Sequence, residues 1–243
     1  MTSPIVAELS ARLRQLERSR VRLVPGVSEP PSSATGLHRL LPNISSFRGG
    51  LVEWLSDVKG AGSLSLAVLA SQPAIRNEYW IFVDSRSQLH LAGLAALSLD
   101  LQRLILVRPQ RSADALWVVE QALRTRGVGA VVCELDRLST ASFRRLQLAA
   151  EAGGTLGILL RPEKVQHQPS WAEYRILVRP LATLGSSDPW QPRRRLQVEL
   201  LRARKELMAA AKLVLVELQD ADGRVCLVSE LASAAPAVRA TSA

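Results

Sequence analysis

The residues best placed to do chemistry lie between Gly49 and Leu66, where a short apolar stretch meets a loop of small residues. A predicted strand over Leu51–Leu55 runs into that loop, and an apolar helical run over Leu64–Ala70 follows it. This strand–loop–helix order is the one that cradles nucleotide phosphates. A working loop reads G-x-x-x-x-G-K-[ST], because the lysine reaches the outer phosphates and the hydroxyl ligates magnesium.

Three positions of this loop carry residues that do not suit that chemistry. When the pattern is aligned on Gly62, Asp57 stands at the first glycine, Ser63 at the lysine and Leu64 at the hydroxyl residue. Asp57 would place a negative charge beside the polyphosphate, and a leucine side chain cannot ligate a metal ion. We therefore predict a phosphate-loop scaffold without its function, with no cofactor, no metal and no catalytic residue.

Two interpretations of the loop remain open. The backbone N–H groups of Gly60, Gly62 and Ser63 could hold an anion at the start of the helix. Alternatively, the segment is a tight turn in which Ser63 caps the helix. Lys59 could replace the missing lysine from within the loop, although it lies upstream of the usual position.

From Gly50 onward, apolar strands alternate with helical stretches, a pattern typical of a mostly parallel sheet covered on both faces. The predicted strands after the first are Tyr79–Asp84, Leu104–Val107, Ala130–Cys133 and Leu156–Leu160. The predicted helices are Leu64–Ser71, Leu89–Leu99, Ala113–Arg126 and Ala141–Ala152.

The pattern changes after Pro162, where four strand-like runs follow one another without crossover helices. These are Glu173–Arg179, Leu196–Leu201, Leu213–Leu218 and Val225–Val228, and we predict that they extend the sheet in antiparallel fashion. A competing prediction treats the stretch from Leu196 to Leu213 as one helix, because Glu, Leu, Ala, Arg and Lys dominate it.

The ends of the chain differ from its body. Residues 1–23 are predicted to contain a basic amphipathic helix from Ile5 to Leu23, with leucines at helical spacing and arginines on the other faces. Residues 24–36 are rich in Pro, Ser and Gly and are predicted to be a flexible linker. The main domain is expected over residues 37–231, and residues 232–243 are expected to be a disordered tail.

The overall charge of +9 and the pI of about 10.6 favour polyanions or an acidic protein as partners, although arginine excess also follows from genome composition. No apolar run is long enough for a membrane span. Cys133 and Cys226 lie in separate apolar runs, which is typical of buried, reduced thiols in a cytoplasmic protein.

Two groups of residues are candidates for binding a partner or DNA. Trp54, Trp80 and Trp117 fall within predicted elements and are expected in the core, whereas Trp171 and Trp190 fall in proline-flanked loops and are expected to anchor an interface. Alternating arginines on a strand would form one cationic face. The candidate arginines are Arg12, Arg14, Arg18, Arg193, Arg194, Arg195, Arg202 and Arg204.

The order of several short segments resembles the ImuA family, the RecA-like accessory proteins of bacterial mutagenesis cassettes. The segments are the basic N-terminal stretch, Leu37-His38-Arg39-Leu40-Leu41-Pro42, Arg48-Gly49-Gly50-Leu51-Val52-Glu53-Trp54-Leu55, Ala113–Leu135 and the run from Arg193 to Arg204. The resemblance implies a RecA-like core. Together with the pattern of strands and helices, it predicts an α/β fold with a mostly parallel central sheet flanked by helices and an antiparallel C-terminal extension.

The resemblance also allows the nucleotide-handling positions of RecA to be followed into this sequence. Asp84 keeps an aspartate at the end of the second strand, but Arg86 stands where the catalytic glutamate would be. Glu134 corresponds to the Walker B acid, and the glutamine that senses phosphate would fall near Arg161. These departures lie in separate elements, so the resemblance implies a RecA-like protein that is not an ATPase.

By resemblance, the expected function is that of a non-catalytic adaptor in damage-induced (SOS) translesion DNA synthesis. Its expected partners are an ImuB-type Y-family-like protein, RecA and an error-prone polymerase, with DNA contact secondary and self-association open. One alternative is a RecA-like ATPase or DNA-binding protein with a degenerate nucleotide site. Another is a SulA-like inhibitor of cell division, since SulA is a related RecA-like fold.

Overall fold

The computed structural model describes residues 22–23, 37, 41, 47–58, 60–75, 77–182, 193–203, 213–219 and 224–229. The first strands are β1 (Arg22–Leu23), β2 (Phe47–Arg48), β3 (Gly50–Ser56), β4 (Tyr79–Val83), β5 (Leu104–Val107) and β6 (Val128–Glu134). They are followed by β7 (Leu156–Pro162), β8 (Tyr174–Leu181), β9 (Arg193–Ala203), β10 (Leu213–Gln219) and β11 (Arg224–Ser229). The α-helices within these ranges are α1 (Ser63–Ser71), α2 (Leu91–Ala96), α3 (Ser112–Arg124) and α4 (Thr140–Gly153).

Over the described residues, one large mixed sheet has the strand order β11-β10-β9-β8-β3-β7-β6-β4-β5. The strands from β8 to β5 in this order are all parallel, and β9, β10 and β11 continue the sheet in antiparallel fashion. The α/β class and the antiparallel C-terminal extension are therefore confirmed. The strand prediction for the start of the Leu196–Leu213 stretch is also confirmed, because Arg193–Ala203 is extended, whereas residues 204–212 lie outside the described ranges.

Two predictions about individual elements are corrected. The strand predicted at Glu173–Arg179 is not purely antiparallel, since β8 runs parallel to β3 on one side and antiparallel to β9 on the other. The helix predicted to reach Leu23 cannot extend that far, because Arg22 and Leu23 pair with Arg48 and Phe47 in a two-stranded ladder. Residues 1–21, 24–36 and 230–243, which include most of the predicted arm, the linker and the tail, lie outside the described ranges.

The core has two large parts, one on each face of the sheet, and a small third cluster of Leu55, Val165 and Leu177. One face packs on α1 and includes Trp54, Trp80 and the inward residues of β9 and β10. The other face packs on α3 and α4 through their buried apolar residues, with Val119, Phe143 and Leu146 at its centre. Gly153 lets the end of α4 approach α3, because a Cβ there would lie 2.0 Å from the Leu123 carbonyl oxygen. No helix among the described residues has the length and apolar character needed to cross a membrane.

Candidate functional site

A cleft of about 540 Å³ opens at the carboxyl ends of β3, β4, β6 and β7. Ligands of parallel α/β sheets bind at this edge, because the loops that leave the strands converge there. The cleft is lined by the loop after β3, the segment that follows β4, the end of β6, the end of β7 and Arg194 of β9. The degenerate phosphate loop therefore lies where a nucleotide would be bound.

The start of α1 differs from the predicted serine cap. Gly62, in the left-handed region with φ of 87°, is the N-cap residue, and no side chain caps the helix. Ser63 is the first helical residue and is only 8% exposed. A Cβ on Gly62 would lie 2.9 Å from Cδ1 of Leu196, so β9 packs directly against this turn. Asp57 is exposed, and Lys59 lies outside the described residues.

Arg86, which the resemblance to RecA aligns with the catalytic glutamate, binds two acidic residues of the cleft. Its Nη1 donates to Glu134 at 2.5 Å, and its Nη2 donates to Asp136. The three side chains are 35% to 45% exposed, so solvent screens this network and its contribution to stability is small. The guanidinium does, however, pair with Glu134, the residue that the resemblance aligns with a Walker B acid.

The cleft therefore fails the requirements of a magnesium–nucleotide site. The structure places Ser63 and Leu64 in the first turn of α1, where the lysine and the metal-binding hydroxyl would be needed. Glu134, the acid that would hold the metal, is engaged by Arg86. These residues do not fit Mg²⁺-ATP, and no step of a reaction can be assigned to them.

Asp84 is used to hold the backbone after β4. Its Oδ1 accepts from the N–H of Gln88 at 3.0 Å, its Oδ2 accepts from the N–H of Leu89 at 3.1 Å, and Arg108 lies 3.4 Å from Oδ2. Burial raises the pKa of Asp84, but the two backbone hydrogen bonds and Arg108 together outweigh it, so the net pKa is lowered. Asp84 is therefore ionised at neutral pH and braces one wall of the cleft.

Beneath the cleft lies a buried ionic cluster that sequence reasoning missed. Glu53 in β3 is fully buried and accepts from Arg161 Nη1 at 2.6 Å, from Arg175 Nε at 2.7 Å and from Ser170 Oγ at 2.6 Å. Arg175 Nη1 also donates to the carbonyls of Gln166 and Gln168. The cluster joins β3, β7, β8 and the loop before β8. Its signal in the sequence was a glutamate within an apolar strand, which requires a partner once it is buried.

Arg161, predicted near the phosphate-sensing position, belongs to this cluster. Its Nε donates to the carbonyl of Leu135 at 3.2 Å, in addition to the bond from Nη1 to Glu53. The Nη2 atoms of Arg161 and Arg175 are buried and have no hydrogen-bond partner among the described residues. Because Arg161 is held on two sides, it supports the floor of the cleft.

The candidate arginines of β9 are not brought together. Arg194 Nη1 lies 3.5 Å from the Gly60 carbonyl at the rim of the cleft, whereas Arg195 pairs with Glu217 of β10 at 2.6 Å. Arg202 Nη1 donates to the Ser170 carbonyl at 2.7 Å. The remaining candidates lie outside the described ranges or, for Arg193, have no described side chain; they are Arg12, Arg14, Arg18, Trp190, Arg193 and Arg204.

The described tryptophans divide between core and surface. Trp54 and Trp80 are buried, as predicted. The prediction that Trp117 is buried is wrong, since it is 61% exposed. The buried face of α3 is formed by residues such as Ala115 and Val119, and position 117 projects away from it. Trp171 is 41% exposed, as predicted for a loop, and the Arg144 guanidinium lies 4.7 Å from its ring centroid.

Cys133 has the environment of an inert core thiol. It is buried in β6, and burial raises the pKa of its thiol to about 12, against a smaller opposing effect of Arg161. The thiolate is therefore not populated at neutral pH, and the cysteine is not a nucleophile. Within the described ranges, no group of three His, Cys, Asp or Glu side chains is arranged to hold a metal ion.

Comparison with known proteins supports the predicted resemblance. The chain is 33% identical to protein ImuA of Caulobacter vibrioides over 139 residues, which is 51% of this chain and 55% of that protein. It is 26% identical to the cell division inhibitor SulA of Edwardsiella piscicida over 102 residues, or 42% of this chain and 61% of that protein. SulA of Photorhabdus laumondii is 29% identical over 110 residues, or 45% of this chain and 62% of that protein.

The matched region spans about half the length of the ImuA relative and somewhat more of the SulA relatives. The chain matches no profile of a known protein family. The similarities to ImuA and to SulA confirm the resemblance predicted from the sequence, over about half of this chain.

Proposed function

We propose that this ImuA/SulA-like chain is a non-catalytic RecA-like adaptor in damage-induced translesion DNA synthesis, acting in the cytoplasm. The observation that carries the proposal is Arg86, which stands in the position of a catalytic glutamate and holds Glu134 and Asp136. The cleft lies at the edge of the sheet where a nucleotide would bind, but it carries an ion network in place of nucleotide-binding residues.

Loss of nucleotide chemistry leaves the surfaces of the fold as the source of function. ATP hydrolysis by this class of fold requires a lysine on the phosphates, a hydroxyl on the metal and an acid beside the metal. The chain offers Ser63, Leu64 and an Arg86-bound Glu134 in these positions. A fold without these groups can still bring other proteins together, because recognition requires only shape, apolar anchors and charge.

The proposed main partner is an ImuB-type Y-family-like protein, with RecA and an error-prone polymerase as further partners and DNA contact secondary. Salt dependence separates a protein interface from a DNA interface. Affinity for DNA falls by about one log unit per log unit of salt for each phosphate contacted, whereas an apolar protein interface changes little.

The proposal is tested by co-expressing the chain with the ImuB-type protein of the same genome and purifying the chain by a tag. We expect a complex that survives moderate salt and forms equally well with and without ATP. Recovery of the chain alone from such preparations, with the partner soluble and folded, would contradict the adaptor function.

A second candidate function is inhibition of cell division, and it is favoured by the similarity to SulA of two bacteria. The same tagged chain should then bind the tubulin-like division protein, and its overproduction should make cells filamentous. Binding to the ImuB-type protein with no binding to the division protein would rule out this candidate.

A further inference from the structure

The outer surface of α3, α4 and the loop before β8 carries apolar side chains among arginines. We call it the α3–α4 face and define it by Trp117, Leu148, Trp171, Arg124, Arg144 and Arg145. Trp117, Leu148 and Trp171 are 61%, 43% and 41% exposed, respectively. Large exposed tryptophans are expensive to hydrate and are the residues most enriched at the centres of protein interfaces.

The packing of the two helices fixes how these residues are arranged. Both helices link parallel strands and therefore run in the same direction across the sheet. Position 153 of α4 lies beside Leu123 of α3, because a Cβ at Gly153 would be 2.0 Å from the Leu123 carbonyl oxygen. Leu148 lies five residues before position 153 and Trp117 lies six residues before position 123, so these two exposed apolar side chains lie at nearly the same level along the helices. Glu120 accepts from Arg145, and each of these residues lies three positions from one of the two apolar side chains, so the ionic group borders the apolar pair.

The ionic group of Glu120, Arg124 and Arg145 carries an excess of positive charge. Arg124 and Arg145 both pair with the single carboxylate of Glu120, so one positive charge remains uncompensated. Arg144 pairs with no carboxylate among the described residues; it donates to Gln147 Oε1 at 3.0 Å and lies over the Trp171 ring. The positions of all three guanidinium groups are therefore set by the protein itself before any partner binds.

We propose that the α3–α4 face binds an acidic amphipathic segment of a partner protein, with the partner's apolar side chains against Trp117 and Leu148 and its carboxylates near Arg124, Arg144 and Arg145. This inference rests on the proposed adaptor function and names the surface that performs it. The arrangement suits a helix whose apolar stripe is bordered by acidic residues, because such a helix matches both the anchors and the charges.

Charge argues against two other occupants. The N-terminal stretch of this chain carries Arg12, Arg14, Arg18, Arg20 and Arg22, and these would be repelled by the arginines of the face. A second copy of the chain that used the same face would bring like charges together, which is unfavourable in a symmetric dimer.

Nucleic acid is disfavoured by the nature of the side chains. Leu148 offers no ring for a base to stack on, and two of the three guanidinium groups are already bound to Glu120. An acidic amphipathic segment would instead contact Leu148 with its apolar side chains, and its carboxylates would pair with the uncompensated positive charge.

The test measures binding of the full chain to the co-purified ImuB-type protein and to a synthetic amphipathic helix with a Leu and Phe stripe bordered by glutamates. The variants are Trp117→Ala and Leu148→Gln, which alter exposed side chains, and Arg144→Glu, which alters a guanidinium that pairs with no carboxylate among the described residues. Leu101→Ala is the matched control, since Leu101 is exposed to a similar extent but lies outside the face. A helix with lysines in place of glutamates and an oligothymidine strand complete the comparison.

We expect each face variant to weaken binding of both the partner and the acidic helix by about tenfold or more, which is typical of a central anchor. Leu101→Ala should not change binding, and the lysine helix should bind at least tenfold more weakly. Full-strength partner binding by all three variants would overturn this inference while leaving the adaptor function intact. Acidic-helix binding without ImuB-type binding would support the face and contradict the proposed function. Preferential, Trp117-dependent binding of oligothymidine would overturn the inference in favour of a nucleic-acid surface.

Discussion

Glu53 illustrates how one buried charge organises the floor of the cleft. Its carboxylate is the common acceptor for Arg161, Arg175 and Ser170, which come from two other strands and a loop. Because a buried carboxylate loses its hydration, these three donors must replace the lost water. Two guanidinium groups on one carboxylate also leave the cluster with a net positive charge, so Glu53 is indispensable to it.

Replacing Glu53 with Gln should therefore destabilise the protein by about 3–5 kcal/mol, because two buried guanidinium groups lose their counter-charge. Urea unfolding monitored by tryptophan fluorescence measures this change. Arg86→Ala serves as the control and should cost less than about 1 kcal/mol, since its ion pairs are solvent-screened. Equal losses of unfolding free energy for the two variants would contradict the role of the Glu53 cluster in stabilising the floor of the cleft.

Asp84 should make stability depend on pH in a definite direction. Its pKa is lowered in the folded state, so its contribution is present above the ordinary value of 3.8 and is lost as the pH falls through the lower folded value. Asp84→Asn should therefore be destabilising at pH 7, and its difference from the wild type should narrow below about pH 4. Unfolding free energies at several pH values check this. A difference that is constant with pH would contradict the role of the ionised carboxylate.

Single residues were predictable from the sequence where their place in a motif or in a buried strand determines their role. Ser63, Leu64 and Arg86 could be identified because each replaces a residue whose chemistry depends on its place in a motif. The contact between Arg86 and Glu134 could not be predicted, because 48 residues separate them and only the parallel pairing of β4 with β6 brings them together. The exposure of Trp117 was not predictable from its helical location alone, because it depends on which face of α3 packs on the sheet.

The loop between β3 and α1 is shaped by its glycines and by β9. Gly60 and Gly62 both have positive φ, but they differ in their surroundings. A Cβ at Gly60 would meet no atom within 4 Å, whereas a Cβ at Gly62 would lie 2.9 Å from Leu196. The loop therefore packs against the C-terminal strands.

Gly60→Ala should cost about 1–2 kcal/mol, which is the strain of a left-handed backbone for a residue with a Cβ. Gly62→Ala should cost about 1 kcal/mol more, because it adds the contact with Leu196. Thermal or urea unfolding of the two variants compares them directly. A larger loss of unfolding free energy for Gly60→Ala than for Gly62→Ala would contradict the packing of β9 against this loop.

At the level of strands and helices, the parallel part of the sheet was predictable because each buried strand is a separate apolar run bounded by turn residues. The direction of β8 was not predictable, because its parallel pairing with β3 depends on a crossover from β7 that contains no α-helix. The helix predicted over Leu89–Leu99 is limited to Leu91–Ala96. His90 caps its start, and Ser98 adopts a positive φ just after its end.

The whole molecule combines a cleft that lacks the phosphate-binding lysine and the metal-binding hydroxyl with an arginine-rich outer surface on α3 and α4 that exposes Trp117. Arg86 pairs with Glu134 and Asp136 in the cleft. Trp117 and Leu148 are exposed on the outer surface of the two helices. In the proposed function, the fold supports surfaces that bind other proteins in mutagenic repair.

The most direct test of this account is calorimetric titration of the purified chain with Mg²⁺-ATP, together with an assay of phosphate release. The account predicts no saturable heat and no release of phosphate above that of a Glu134→Ala variant. Saturable binding accompanied by ATP turnover that Glu134→Ala abolishes would contradict it.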